Sequence, residues 1–218
     1  LLARARVVNA SRLFLFVQFE IEDPHGRQIL QGTSHGEIRQ VEPSPPPPPA
    51  ELRPVEEATY STPDPYLRTV RSKIASPEML GEQGGFNFLN AYLEGRFVTP
   101  FEELTGCRIV ALDERQAAVT MTMPASEWLC RFSRSVAPGA IAALANSTSH
   151  AAGLMLLQPG QSFAGLAESA HFFRAVPADG RLLRAEGKGV MYGRGLAMAD
   201  VKVYDADGQL AAAVQGLA

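Results

Sequence analysis

Between residues 17 and 22 the chain alternates strictly, Val17, Phe19 and Ile21 against Gln18, Glu20 and Glu22. Successive side chains of a strand point to opposite faces, so this stretch predicts a β-strand with one wet side. Asp23-Pro24-His25-Gly26 ends it with turn chemistry, because Pro fixes φ and Gly accepts a positive φ. Further along the period changes. Ser76 suits an N-cap and Pro77 a first helical position, and Phe86, Leu89 and Tyr92 keep a three-residue spacing. A helix is therefore expected from Glu78 to Leu93, ending near Gly95. Residues 98–106 lead into two strands, 107–112 and 116–123, joined by a turn at Asp113-Glu114-Arg115. Residues 138–153 are apolar nearly all round, with Pro138 placed to begin a helix and Gly153 to cap it. A helix without a polar face belongs inside something. Four more strand runs follow, at 162–173, 182–192, 196–205 and 209–215.

The beginning of the chain resembles its end. Arg12 in Val7-Val8-Asn9-Ala10-Ser11-Arg12 lies on Arg194 in Val190-Met191-Tyr192-Gly193-Arg194, an offset of 182 residues, and Asp23 then falls on Asp205 and Gly26 on Gly208 without a gap. Each copy reads as strand, turn, strand, turn, strand. Such self-similarity is the mark of a duplication, here of a unit whose first copy is represented only by its back half. Between the copies the composition changes abruptly at Val41, and Pro45 to Pro49 is an unbroken proline run. That run predicts extended, solvated polyproline acting as a linker. The expected organisation is residues 1–40 as the back half of a first repeat, 41–62 as linker and 63–218 as a complete domain.

Composition narrows the function classes. The 218 residues are 46% hydrophobic and 20% charged, an ordinary globular balance. A net charge of −3 gives no basic footprint for nucleic acid. No uncharged apolar run approaches the ~20 residues of a membrane helix, so neither nucleic acid nor membrane is an expected partner. Cys107 and Cys130 lie far apart without a CxxC spacing, which disfavours metal or redox chemistry and fits reduced thiols in the cytoplasm. Neither metal nor cofactor is expected.

A buried helix wrapped by an antiparallel sheet is an α+β arrangement of the hotdog type. In order and spacing, four landmarks across residues 85–218 resemble the phenylacetyl-CoA thioesterase (PaaI-like) branch of the hotdog superfamily. They are Pro100-Phe101 with Gly106, the stretch from Pro138 to Asn146, Phe172-Phe173-Arg174, and Tyr192-Gly193-Arg194 followed by Gly208. Residues 1–40 then resemble the back half of a preceding hotdog unit. The resemblance implies hydrolysis of short, medium or aromatic acyl-CoA thioesters by an oligomeric cytoplasmic protein. It implies a helix N-terminus whose amides polarise the thioester carbonyl, an acidic residue on that helix, and a Ser or Thr on the following strand. Aligned at Gly139, the family's His falls on Ala137, its first Gly on Pro138 and its acid on Asn146; aligned at Phe172, its Ser or Thr falls on Gly165. The usual catalytic set is thus replaced. This leaves a second reading, a catalytically degenerate half that binds acyl-CoA or scaffolds an active half.

The candidate residues follow. Asn146 and His150 stand four apart on one helical face, with Gly139 two turns earlier on about the same face. Asn146 would orient water or the carbonyl and His150 would act as base; alternatively His150 serves the helix end. The amides of Gly139 and Ala140 would bind the carbonyl. Gly193 and Arg194 would meet CoA phosphates, because guanidinium suits phosphate geometry. Glu168 and His171 differ by an odd number of residues on one strand and so face opposite sides; neither is taken as a catalyst. With an apolar half-unit and open strand edges, a homo-oligomer is expected.

Overall fold

The computed structural model describes residues 1–37, 75–131, 134–162, 164–193 and 196–217. The linker expected at 41–62, with its proline run, lies outside the described residues, as does Arg194. The chain divides into two units, Leu1–Tyr60 and Ser61–Ala218.

In the second unit, α1 (Pro77–Leu93) starts where Ser76 and Pro77 predict, but it carries a kink at Gly84, whose φ is 72°. The neighbouring Gly85 explains why the chain needs glycine here. A Cβ on Gly85 would lie 1.5 Å from the Leu154 carbonyl oxygen, so two backbones are in direct contact. Leu89 and Tyr92 are buried and Phe86 packs against the core, as their spacing predicts. Next comes α2 (Pro100–Thr105), where only a lead into strands was expected. Its signal was present in Thr99-Pro100-Phe101-Glu102: the Thr99 hydroxyl accepts the Glu102 N–H, and the Glu102 side chain accepts the Thr99 N–H. That is a capping box with Pro in the first turn.

The strands are β4 (Arg108–Asp113), β5 (Ala118–Pro124), β6 (Ala167–Phe172), β7 (Leu182–Gly193), β8 (Leu196–Tyr204) and β9 (Leu210–Leu217), in the sheet order β4-β5-β7-β8-β9-β6. Every neighbouring pair is antiparallel. Across the concave face lies α3 (Pro138–Leu154), burying Ile141, Leu144, Ala145, Thr148, Ala151 and Ala152. They meet inward residues of the sheet such as Met121, Leu183, Ala185, Val201, Val203 and Val214. Each large aliphatic side chain so enclosed contributes about 1.5–3 kcal/mol. Small residues let the helix settle close. A Cβ on Gly187 would meet Thr148 Cγ2 at 2.8 Å, and one on Gly216 would meet Ser149 Oγ at 2.2 Å. The one fully buried polar side chain among the described residues, Thr148, donates its hydroxyl to the Leu144 carbonyl at 2.8 Å.

Two boundaries differ from the sequence reading. Gly153 is not a cap: α3 continues to Leu154 with Met155 at its C-terminus, and Gly153 is buried within it. Strand β6 begins at Ala167 rather than 162, because its ladder with β9 starts only at Ala167–Leu217.

The first unit is a three-stranded antiparallel sheet in the order β1 (Leu2–Ala10), β2 (Phe14–Glu22), β3 (Gln28–Glu37). One face carries Arg4, whose guanidinium pairs with Glu22 and Glu20, and Arg6, which donates to Gln18 Oε1 at 2.9 Å. The other carries Ala3, Ala5, Val7, Val17, Phe19, Ile21 and Leu30, as alternation demands. None of the described residues of this unit is buried.

Candidate functional site

Although α3 is sunk in the sheet, one stripe of it stays accessible: Gly139 in the first turn, then Asn146, then His150. All three sequence-selected positions therefore share an open face. At the helix start Ala137 is the N-cap and makes no side-chain capping bond. Pro138 has no N–H. The N–H groups of Ala140 and Ile141 both donate to the Ala137 carbonyl, at 2.9 and 3.3 Å. Gly139, in the first turn, is exposed, and a Cβ there would meet nothing within 4 Å. Ala140 is different: its amide is engaged and its side chain packs on the core.

At the other end of the stripe the helix meets the edge strand β6. Glu168 stands opposite Gly216 on β9, on the helix-facing side of the sheet, while His171 opposite Ala213 points away. Because α3 passes over Gly216 at Ser149, Glu168 comes beside the helix, where its carboxylate accepts a hydrogen bond from the Asn146 side chain. Loss of hydration against the helix raises the Glu168 carboxyl above its ordinary pKa, and the Asn146 bond offsets part of that rise. Burial acts in the opposite sense on His150, lowering its imidazole pKa. Below an ordinary value near 6.5 the ring is neutral at pH 7 and able to accept a proton.

Sequence reasoning set Glu168 aside because it tested only a pairing with His171 along one strand. The opposite-face argument holds. What it missed was a partner from another element, and the helix-facing parity shared with Ala170 and Phe172 was the available signal.

Gly193 ends β7 opposite Leu196. This hairpin lies at the same end of the sheet as the start of β6, since Met198 and Ala167 both pair with Leu217. Nearby, Tyr192 donates its hydroxyl to Gln161 Oε1 at 2.9 Å. At the far end a shallow cleft adjoins Arg181, but that guanidinium is already held by Asp179 and Asp207 at 2.8 and 2.7 Å. Both described cysteines are free thiols, Cys107 buried and Cys130 partly so. Among the described residues no three His, Cys, Asp or Glu side chains gather as metal ligands. No described helix is long and apolar enough to cross a membrane.

Comparison with protein-family models gives no match, and no curated protein matches either. Solved structures do match. A phenylacetic acid degradation-related protein from Ralstonia eutropha JMP134 aligns at 20% identity and a TM-score of 0.56, over 60% of this chain and 98% of that one. A mutant thioesterase from Pseudomonas aeruginosa aligns at 21% identity and 0.52, over 61% of this chain and 90% of its own. A Haemophilus influenzae thioesterase aligns at 20% identity and 0.50, over 54% and 79%. Several of the matched structures carry the name thioesterase. With six antiparallel strands laid around one buried helix, the second unit of this chain has the hotdog fold.

Proposed function

We propose that this protein hydrolyses acyl-CoA thioesters carrying short, medium or aromatic acyl groups, in the cytoplasm. The observation that carries the reading is the accessible stripe Gly139–Asn146–His150 on an otherwise buried helix. The Gly139 N–H lies at the positive end of the helix dipole and suits a developing oxyanion. Asn146 orients water or the carbonyl, and neutral His150 is available as a proton acceptor. Ala140 shapes the helix start through its packed side chain. Gly193 and Arg194 supply the phosphate contact.

One distance shapes this reading. Gly139 and Asn146 are seven residues apart, roughly 10 Å along the helix axis. A single thioester carbon cannot meet both within one copy. The site therefore takes Gly139 from one copy and Asn146 from another, which makes a homo-oligomer part of the function. Edge strand β6, with Leu166, Phe172 and Phe173 exposed, is open to such pairing.

Residues 1–40 are read, in the same proposal, as the back half of a first hotdog repeat preceding the complete domain at 63–218. Register shifts at Val7/Asn9 and Ile21/Glu22, matched 182 residues on at Gly189/Met191 and Val203/Tyr204, support this. The second reading, a degenerate half that binds acyl-CoA or scaffolds an active half, is favoured by one observation: the accessible stripe of α3 contains no carboxylate.

Thiol release from a panel of short, medium and aromatic acyl-CoAs tests the first reading, with CoA binding followed by calorimetry. Hydrolysis is expected, with CoA affinity weakened by about 1–3 kcal/mol in Arg194→Ala, as for a charge-assisted contact. CoA binding without turnover on any substrate would replace it with the second reading. Unchanged binding in Arg194→Ala would remove the phosphate role.

A further inference from the structure

Hydrolysis of a thioester needs a group to take the proton of the attacking water, and the accessible stripe of α3 offers an amide and an imidazole but no carboxylate. The carboxylate that meets this stripe belongs to another element. Resting on the thioester-hydrolase reading, we infer that Glu168 on β6, in place of His150, is the general base of the reaction and that Asn146 is its positioning residue.

Three features lead to Glu168. Its register opposite Gly216 sets it on the helix side of the sheet. The absent side chain at Gly216 lets α3 approach at Ser149, so helix and carboxylate share one surface. Its partner there is the Asn146 side chain, whose amide N–H2 can donate to a carboxylate. On an edge strand the group is still reached by solvent and substrate.

The proton inventory closes. Water attacks the thioester carbon as Glu168 removes one of its protons, giving a tetrahedral oxyanion. Collapse of that oxyanion breaks the C–S bond, and the departing thiolate takes the proton from the Glu168 carboxyl. The carboxylic acid product loses its own proton to solvent. Glu168 returns to its ionised form.

The electrostatics suit the role. No charged neighbour contributes to the Glu168 shift, whose causes are burial and the Asn146 bond. On α3 the titratable neighbour is His150, held towards its neutral form by burial. On β9 the opposing residue is Gly216, and on β6 itself His171 points to the other face. A base with a raised pKa removes a proton more effectively near neutrality. Activity must then fall as pH drops through the raised Glu168 value, where the base becomes protonated. Asn146 stabilises the ionised form, so its removal moves this acid limb to higher pH.

The experiment compares the natural chain with Glu168→Gln, Asn146→Ala and the exchanged pair Glu168→Gln/Asn146→Asp, using thiol release and thermal melting. Glu168→Gln should lower kcat by about a hundredfold or more with KM little changed. Its melting temperature at pH 7 should not fall, because the ionised form that burial disfavours is gone. Asn146→Ala should shift the acid limb of kcat/KM upward. The exchanged pair, which returns a carboxylate beside an amide with the positions reversed, should recover part of the lost kcat. Near-natural kcat in a folded Glu168→Gln variant overturns the assignment while leaving the hydrolase reading intact. An acid limb unmoved in Asn146→Ala overturns the coupling on which it rests. Absence of hydrolysis by the natural chain across the panel overturns the hydrolase reading, and this assignment with it.

Discussion

Strands β1–β3 and β7–β9 carry the same irregularities at the same places, in opposite surroundings. Between β1 and β2 the register slips between Val7 and Asn9; between β7 and β8 it slips between Gly189 and Met191, 182 residues on. The next ladder slips between Ile21 and Glu22 in one sheet and between Val203 and Tyr204 in the other. The turns agree as well. Asp23 Oδ1 accepts the N–H groups of His25 and Arg27, Asp205 Oδ1 those of Asp207 and Gln209, and Gly26 and Gly208 have φ of 77° and 75°. Bulges are specific features rather than defects, so their coincidence is stronger than shared strand propensity.

What differs is the cover. Beyond Leu183, the inward residues of β7–β9 under α3 are glycine, alanine and valine, and β5 and β6 flank the three strands on either side. Among the described residues β1 and β3 are edges, and the equivalent inward positions hold bulkier Phe19, Ile21 and Leu30. Phe19 lays its ring across Gly32, where a Cβ would come within 2.5 Å of it. An aromatic covering a strand glycine supplies part of the packing that a helix supplies to the second sheet. The lesson is that a ladder and its turns are specified locally, whereas a face is finished by whatever packs on it.

The sharpest way to break this comparison is hydrogen exchange. Amides at the centre of β8 should open only with global unfolding, while those of β2 should exchange faster by on the order of a thousandfold or more. Equal protection in both sheets would mean that the first is covered in solution. Matched substitutions come next. Gly187→Val drives a side chain into Thr148 and should cost about 1–3 kcal/mol or unfold the domain. At the equivalent position Ala5→Val should stay within about 0.5 kcal/mol by chemical denaturation. A comparable loss at Ala5 would reveal a helix packed there.

A smaller effect is expected in self-association. Sedimentation at micromolar concentration should show a dimer or larger species, because the apolar face and the open edges invite pairing. Phe19→Lys should weaken it by about tenfold, one lost hot-spot contact; a well-behaved natural monomer would contradict the expectation. Smallest is the acid response of the first turn. The Arg27 N–H above all, with the Arg27 side chain and the His25 N–H, holds the Asp23 carboxyl below its ordinary value of 3.8, against an opposing loss of hydration. A depressed carboxylate pKa contributes stability that is complete above the ordinary value and is lost as pH falls through the folded one. Melting of Asp23→Asn should therefore differ from the natural chain at pH 6 and converge with it in strong acid. A difference that persists there would assign the turn to something other than this carboxylate.

Much of the fold was legible in the chain. Alternation at residues 17–22, the Asp-Pro-His-Gly turn chemistry and the apolar run from Pro138 are local signals, and each became the element expected. Helix α2 was equally legible through Thr99 and Glu102 but competes with a strand-like reading of its neighbours. The candidate site was half legible: the shared face of Gly139, Asn146 and His150 follows from helix period alone.

By itself, then, the sequence determined where helices and strands form, because period, caps and turns act over a few residues. Tertiary structure alone decided that Gly85 serves a close backbone approach, that Gly153 is buried within α3 rather than capping it, and that Ala140 faces the core. It alone brought Glu168 to Asn146, across 22 residues of chain. Which carboxylate meets which amide depends on strand order and on how near a helix can lie to a sheet. That distance is set at Gly187 and Gly216, by side chains that are not there.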